Sequence, residues 1–255
     1  MGSRTKPLRV VVAAGLLGCV LASAPASEAT YPGRNGRIAF TTIWYSAESN
    51  DDYREIWSIR PDGSAPGRLA RVAEDPAYRP DGHMIAFARP ATFARPAGIF
   101  LMRSDGFAKR RLLTGPYEEP DWSPDGRQLA FTRTRKPLGV VTWRRGGQLR
   151  WLTSGSTPAW SPTGALIAFT REGQLYVARP DGSGVRRLAP GYAWDPEWSP
   201  DGRRVVFTRI DNTMRSIRAD GTGLRRVAPT HAGNPVYSPN GRLISTQRAS
   251  HSWSS

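Results

Sequence analysis

The stretch Trp198-Ser-Pro-Asp-Gly-Arg203 decides the fold, because it recurs along the chain. Copies stand at Tyr78-Arg-Pro-Asp-Gly82, Trp122-Ser-Pro-Asp-Gly126, Trp160-Ser-Pro-Thr-Gly164 and Tyr237-Ser-Pro-Asn-Gly241, with a weaker one at Pro32-Gly-Arg-Asn-Gly36. Their glycines fall at 36, 82, 126, 164, 202 and 241, so the intervals are 46, 44, 38, 38 and 39 residues. A period of about 40 residues is the mark of a solenoid or a propeller and takes precedence over local propensity. The string itself is turn chemistry. Pro presets φ at the first central position, Asp bonds nearby backbone, and Gly accepts the left-handed conformation from which the next strand leaves.

Outward from this turn, each repeat holds four short runs. The turn is preceded by Pro-x-aromatic, as in Pro76-Ala-Tyr78, Pro120-Asp-Trp122, Pro158-Ala-Trp160, Pro196-Glu-Trp198 and Pro235-Val-Tyr237. It is followed by an apolar run ending on Phe: Ile85-Ala-Phe87, Leu129-Ala-Phe131, Ile167-Ala-Phe169 and Val205-Val-Phe207. A third run follows, at Ile56–Ile59, Ile99–Met102, Val140–Trp143 and Leu175–Ala178. Then comes a second turn, Asp62-Gly63, Asp105-Gly106, Asp181-Gly182 or Asp220-Gly221, replaced in the third repeat by Arg145-Gly-Gly147. A fourth run closes the unit, as at Arg68-Leu69, Arg111-Leu112, Trp151-Leu-Thr153, Arg187-Leu188 and Arg226-Val227. The runs are rich in β-branched and aromatic residues and bounded by Gly, Pro or Asp, which is strand chemistry. No stretch of the repeats sustains a capped helical period. The reading is an all-β protein, a β-propeller of four-stranded antiparallel blades. The aromatic before each turn is expected to fill the space between neighbouring blades.

The repeat P-x-W-S-P-D-G-R-x-[LIV]-A-F, followed by a strand and D-G-[ST]-G-x-R-R-L, resembles the WD-like propeller repeat of the TolB family. It is most complete at Pro196–Phe207 and at Asp181-Gly-Ser-Gly-Val-Arg-Arg-Leu188, and it extends over about residues 31 to 245. The resemblance covers the propeller part only, without the α/β domain that precedes it in TolB proteins. It implies a rigid face or central funnel presented to another envelope protein or peptide. In the TolB family that partner is a peptidoglycan-associated lipoprotein of the Tol–Pal system. The last repeat departs from the pattern: Arg242–Gln247 carries Thr246 at the Phe position and is followed by a polar tail. Six blades with an incomplete last one are expected. The alternatives are five blades, with Pro235–Ser238 completing the first, or a truncated chain.

Composition bounds the remainder. The 255 residues include 9 Trp, 8 Tyr and 8 Phe, enough for a substantial core, while 26 Gly and 22 Pro argue against a helical protein. Net charge is +15, and Lys6, Lys109 and Lys136 are the only lysines, so arginine carries it. The arginines are spread once or twice per repeat, as at Arg127, Arg186, Arg203 and Arg225, with no recognition helix. Nucleic acid is therefore not the expected partner. Arg4, Lys6 and Arg9 precede an apolar run, Val10–Ala22, that is 13 residues long and too short to span a bilayer comfortably. With Ala24-Pro-Ala26 or Ser27-Glu-Ala29 as cleavage site, residues 1–29 read as a signal peptide. Residues 30–248 are then the propeller and 249–255 a polar tail. An exported monomer, periplasmic or secreted and with no transmembrane segment in the mature chain, is expected. The one cysteine, Cys19, lies in the leader, where Leu16-Leu-Gly-Cys19 faintly resembles a lipobox and offers lipid anchoring as the minor alternative.

Chemistry is sparse. His83, His231 and His251 have no metal-ligand spacing, and no G-x-S-x-G elbow occurs. No catalytic, cofactor-binding or metal-ligating residue is assigned, and a non-enzymatic protein is expected. Asp81, Asp125 and Asp201 belong to the first turn, and Asp62, Asp181 and Asp220 to the second. Two acidic clusters remain, Glu118-Glu119 with Asp121 and Asp51-Asp52 with Glu55. The insertions Ser46–Arg54 and Pro90–Ala97 are the expected place of a partner site. Trp44, Trp143, Trp151 and Trp194, outside the pre-turn position, are candidates for stacking on a glycan.

Overall fold

The short runs between turns become strands throughout, and no helix forms among the described residues. The structure, a computed structural model, describes residues 36–46, 51–92, 96–228, 233–237 and 244–247. The expected signal segment 1–29 with Cys19, the weak motif copy before Gly36, the last turn, the expected tail 249–255, His231 and His251 lie outside the described residues.

Strands β1 (Ile38–Ser46), β2 (Asp51–Ile59) and β3 (Gly67–Arg71) form a first, three-stranded sheet. The second sheet is β4 (Glu74–Tyr78), β5 (Met84–Arg89), β6 (Gly98–Arg103) and β7 (Arg110–Thr114). The third is β8 (Tyr117–Trp122), β9 (Gln128–Arg133), β10 (Gly139–Arg144) and β11 (Gln148–Thr153). Strands β12 (Ser156–Trp160), β13 (Ile167–Arg171) and β14 (Gln174–Ala178) are completed by the first half of the 13-residue β15 (Arg186–Trp198). The second half of β15 opens the fifth sheet with β16 (Arg204–Arg209), β17 (Met214–Arg218) and β18 (Arg225–Ala228). Finally β19 (Gly233–Tyr237) pairs with β20 (Ile244–Gln247) and packs on β15 and β16. Pro235 to Tyr237 thus belongs to a sixth, two-stranded sheet, whereas among the described residues β1 pairs with β2 alone. All neighbours are antiparallel, with consecutive strands side by side.

First strands touch the first strands of the next sheet, β4 with β8, β8 with β12, β12 with β15 and β15 with β19. Fourth strands such as β7 and β11 are largely exposed. The first strands therefore line the axis and the fourth strands the rim. The core lies between sheets. Phe87, Phe131, Phe169 and Phe207 are fully buried, each worth about 1.5–3 kcal/mol relative to exposure. Trp198 of the fifth sheet shares a cluster with Ala159, Ala168 and Val177 of the fourth. Trp122, Trp160, Tyr78 and Tyr237 likewise sit in clusters that join their own sheet to the preceding one. The pre-turn aromatics do fill the space between sheets.

The turns take the expected form. Gly126 N–H donates to Ser123 O at 2.8 Å. Asp125 Oδ1 accepts from Ser123 Oγ at 2.6 Å and from Arg127 N–H at 3.0 Å. Asp201 repeats this with Ser199 and Arg203 at the same distances, 2.6 and 3.0 Å. Partial burial pushes both carboxyls up, but these donors outweigh it and hold them below the usual range. At Gly126, φ is +64°, and a Cβ there would stand 3.1 Å from the Arg79 stem of the neighbouring turn. The left-handed conformation favours glycine, and a Cβ would also press on the Arg79 side chain.

Candidate functional site

Four first strands, β4, β8, β12 and the second half of β15, carry a bulge at the residue before their proline. Asp75, Glu119, Thr157 and Asp195 have φ of 51°, 54°, 50° and 50°, and strand register shifts at each of these sites. A left-handed residue in a strand, outside glycine, costs on the order of 1–3 kcal/mol and persists only where its surroundings hold it. Here the neighbouring sheet does so. Asp75 N–H donates to Thr41 Oγ1 of the first sheet at 3.1 Å, and Glu119 N–H donates to Asp75 Oδ2 at 3.2 Å. Thr157 N–H donates to Glu119 Oε2 at 2.9 Å and to Thr132 Oγ1 at 3.0 Å. One row of side chain to backbone bonds thus runs from the first sheet to the fourth around the axis. Slightly further along β8, Asp121 Oδ2 accepts Trp160 N–H at 2.6 Å.

This row concentrates acid at one end of the first strands. Glu74 is buried and ion-paired through Oε2 with Arg54 of β2, while its buried Oε1 has no hydrogen-bond partner among the described residues. The Glu74 carboxylate, with Asp75 and Glu118 nearby, raises Arg54 above the ordinary guanidinium range, although burial opposes this. Burial, with Glu74 and Glu119 beside it, pushes Asp75 up to about 7. Burial does the same for Asp121, to about 7, against the pull of the Trp160 and Trp122 N–H groups. Glu118 is raised too, by burial and then by Glu74 and Glu119.

The sequence singled out Glu118, Glu119 and Asp121, and the structure gathers them at the axis. It adds Glu74, Asp75 and Arg54, which the sequence reading did not select. Their signal was the alignment of Glu74-Asp75-Pro76 with Glu118-Glu119-Pro120 across repeats. Of the second acidic cluster, only the Glu55 side chain belongs to the described ones. That carboxylate pairs with Arg68 at 3.1 Å and Arg71 at 3.5 Å and accepts Trp57 Nε1–H at 3.0 Å, while the side chains of Asp51 and Asp52 lie outside the described ones.

The expected partner loop Ser46–Arg54 is largely a hairpin: Ser46 pairs with Asp51 and Ile43 with Arg54, so β1 and β2 extend towards the acidic end. Residues 47–50 and, in the second insertion, 93–95 lie outside the described residues. Around the acids, connections on the same face expose Ile43, Val72, Leu138, Tyr192, Trp194 and Ile210. Tyr192 and Trp194 stack, with centroids 6.2 Å apart and planes 28° from parallel. Of the glycan candidates, Trp194 and Trp151 are exposed, and the Trp44 side chain lies outside the described ones. Trp143 is a correction. It is 8% exposed and packed in the cluster of the second and third sheets, because β10 is covered by a neighbouring sheet on each face.

His83 sits at a first turn, at the opposite end from these acids, where its backbone N–H bonds Asp81. Among the described residues no three His, Cys, Asp or Glu side chains form a group able to hold a metal ion, and no helix is long and apolar enough to cross a membrane.

No family model matches the chain, and no curated protein matches it. Solved structures do. TolB from Acinetobacter baumannii superposes with a TM-score of 0.67 at 20% identity, over 81% of this chain and 57% of that one. This chain therefore spans little more than half the length of that TolB. A putative TolB from Agrobacterium tumefaciens gives 0.68 at 22% identity, over 84% of this chain and 91% of that one. A gluconolactonase from Xanthomonas campestris gives 0.61 at 15% identity, over 86% of each chain. These likenesses, together with the successive four-stranded antiparallel sheets, establish that the chain has the TolB-like β-propeller fold.

Proposed function

We propose that this is an exported, non-catalytic β-propeller that binds another envelope protein or peptide, in the manner of the TolB propeller of the Tol–Pal system. Residues 1–29 direct its export, and residues 30–248 form the binding module. One observation carries the reading: a single face joins carboxylates at the axis to a surround of exposed apolar side chains, Ile43, Leu138, Tyr192, Trp194 and Ile210 among them. Apolar anchors around a polar centre are what a protein interface needs. The acids select for basic groups on the partner. Crosslinking of the purified chain into envelope extracts tests this. A specific protein captured by the wild type and lost on E118R/Y192S supports it, and capture that ignores those substitutions overturns it.

The stacked, exposed Tyr192–Trp194 pair favours a second reading, a carbohydrate- or polymer-binding propeller. A glycan array followed by tryptophan-fluorescence titration, with W194A as control, separates the two. The acids at the axis are what an enzyme working from the funnel would use. However, Asp75, Glu119 and Asp121 each bond a backbone N–H of the next sheet. That engagement favours a structural role. Lactone or ester hydrolysis abolished by D121N in a folded variant would reverse the assignment.

A further inference from the structure

The turns at the opposite end of the molecule border an open cleft of about 490 Å³ between the second and third sheets, lined among others by Arg79, Asp81, Asp125, Arg127 and Arg145. Two of these arginines mark departures from the repeat. Arg79 stands where the next three copies have Ser123, Ser161 and Ser199. In the second turns, Gly147 N–H donates to Arg144 O as Gly63, Gly106, Gly182 and Gly221 donate to Arg60, Arg103, Arg179 and Arg218. This alignment sets Arg145 against Pro61, Ser104, Pro180 and Ala219, and Gly146 against the turn aspartates. Relative to its siblings, the cleft gains two cations and loses one carboxylate.

The arginines are brought together by the fold. Arg145 N–H donates to Arg127 O at 3.0 Å, joining the two turns of the third sheet. Arg79 reaches across from the second sheet, its stem on Gly126. In the fifth sheet the pair equivalent to Arg127–Arg145 is Arg203–Ala219, with the same backbone bond at 2.9 Å. The guanidinia of Arg127 and Arg145 are exposed and make no hydrogen bond to the described residues. Both aspartates are already engaged. Asp81 binds Arg79 and the His83 N–H, and Asp125 binds Ser123 Oγ and the Arg127 N–H. The local balance is positive, and the Arg127 and Arg145 forks have no hydrogen-bond acceptor among the described residues.

A guanidinium fork matches the paired oxygens of a carboxylate or phosphate, and the volume is that of a small-molecule site, about 300–1,000 Å³. The prolines Pro80 and Pro124 supply flat apolar walls. The geometry points to an oxyanion site that takes a phosphate or carboxylate carried on a sugar-sized body. It lies on the other face from the protein-binding surface and does not depend on it.

Calorimetric titration of the full chain with glucose 6-phosphate, glucuronate and glucose tests the assignment. At least one of the two anions binds with 1:1 stoichiometry and glucose does not; the stronger of the two identifies the oxyanion. The double variant R79S/R145S puts back residues that sibling turns carry, so it keeps its melting temperature. It loses affinity at least roughly tenfold, about 1.4 kcal/mol. R203A, on the same face in the fifth sheet, keeps wild-type affinity. The site is overturned if neither anion binds the wild type, if R79S/R145S binds as tightly, or if R203A weakens binding equally. The last result would reduce the effect to the general charge of the molecule.

Discussion

Trp198 is 1% exposed, donates its indole N–H to Ala159 O of the preceding sheet at 3.1 Å, and shares a cluster with Val205 and Phe207 of its own. Its truncation removes apolar contact from two sheets at once and one hydrogen bond that joins them. W198A is expected to destabilise the chain by about 3–5 kcal/mol in denaturant unfolding. W151A, on an exposed outer strand, should cost far less. Asp201 stabilises one turn through Ser199 Oγ and Arg203 N–H. D201A is expected to cost about 1 kcal/mol by the same measurement. The two substitutions separate the parts of the motif: the aromatic holds neighbouring sheets together, and the Pro-Asp-Gly portion only turns the chain.

At the scale of the strand, the bulged first strands couple folding to pH. In the fold, Asp75 and Asp121 hold their protons up to about pH 7, but only to about 3.9 in an unfolded chain. Between these values the native state binds more protons than the unfolded one, so stability falls as pH rises and that contribution is gone above about 7. Turn carboxyls act in the other direction. Arg79 and then the His83 N–H hold Asp81 below the usual range, and Asp125 and Asp201 are also depressed. Their contribution is complete above about pH 4 and is lost as pH falls further. Melting curves should therefore peak between about pH 4 and 6, and D121N should flatten the decline towards pH 8. A flat profile from pH 5 to 8 in the wild type would remove this reading of the axis.

Strand chemistry explains what could be read from sequence. Phe87, Phe131, Phe169 and Phe207 recur because equivalent strands bury the same face, and the turn glycines count the repeats without ambiguity. The row of bonds from Thr41 to Thr157 had no such signal, because each contact joins residues 25 to 44 positions apart. Asp75 reads locally as an ordinary residue before a proline, and Glu119 only as one member of a short acidic run. Their convergence arises only when first strands are set side by side. Trp143 differs from the expectation of an exposed ring because neighbouring sheets cover both faces of β10, which its local sequence does not show.

Over the whole molecule, chemistry separates to the two ends of the strands. One end carries Glu74, Asp75, Glu118 and Glu119 with exposed aromatics, and the other carries the turn arginines interleaved with turn carboxylates such as Asp81, Asp125 and Asp201, within a chain of net charge +15. Attraction of a basic partner to the first end must overcome the charge of the rest, so affinity there rests on contact at the face more than on long-range steering. The direct test is site-resolved capture. A crosslinker is placed at position 210 on the acidic face or at position 186 on the turn face, and each labelled chain is added to envelope extract. The account expects one protein to be captured from position 210, in a manner abolished by E118R/Y192S and unaffected by R79S/R145S. Capture from position 186 alone, or capture from position 210 that survives E118R/Y192S, would contradict it.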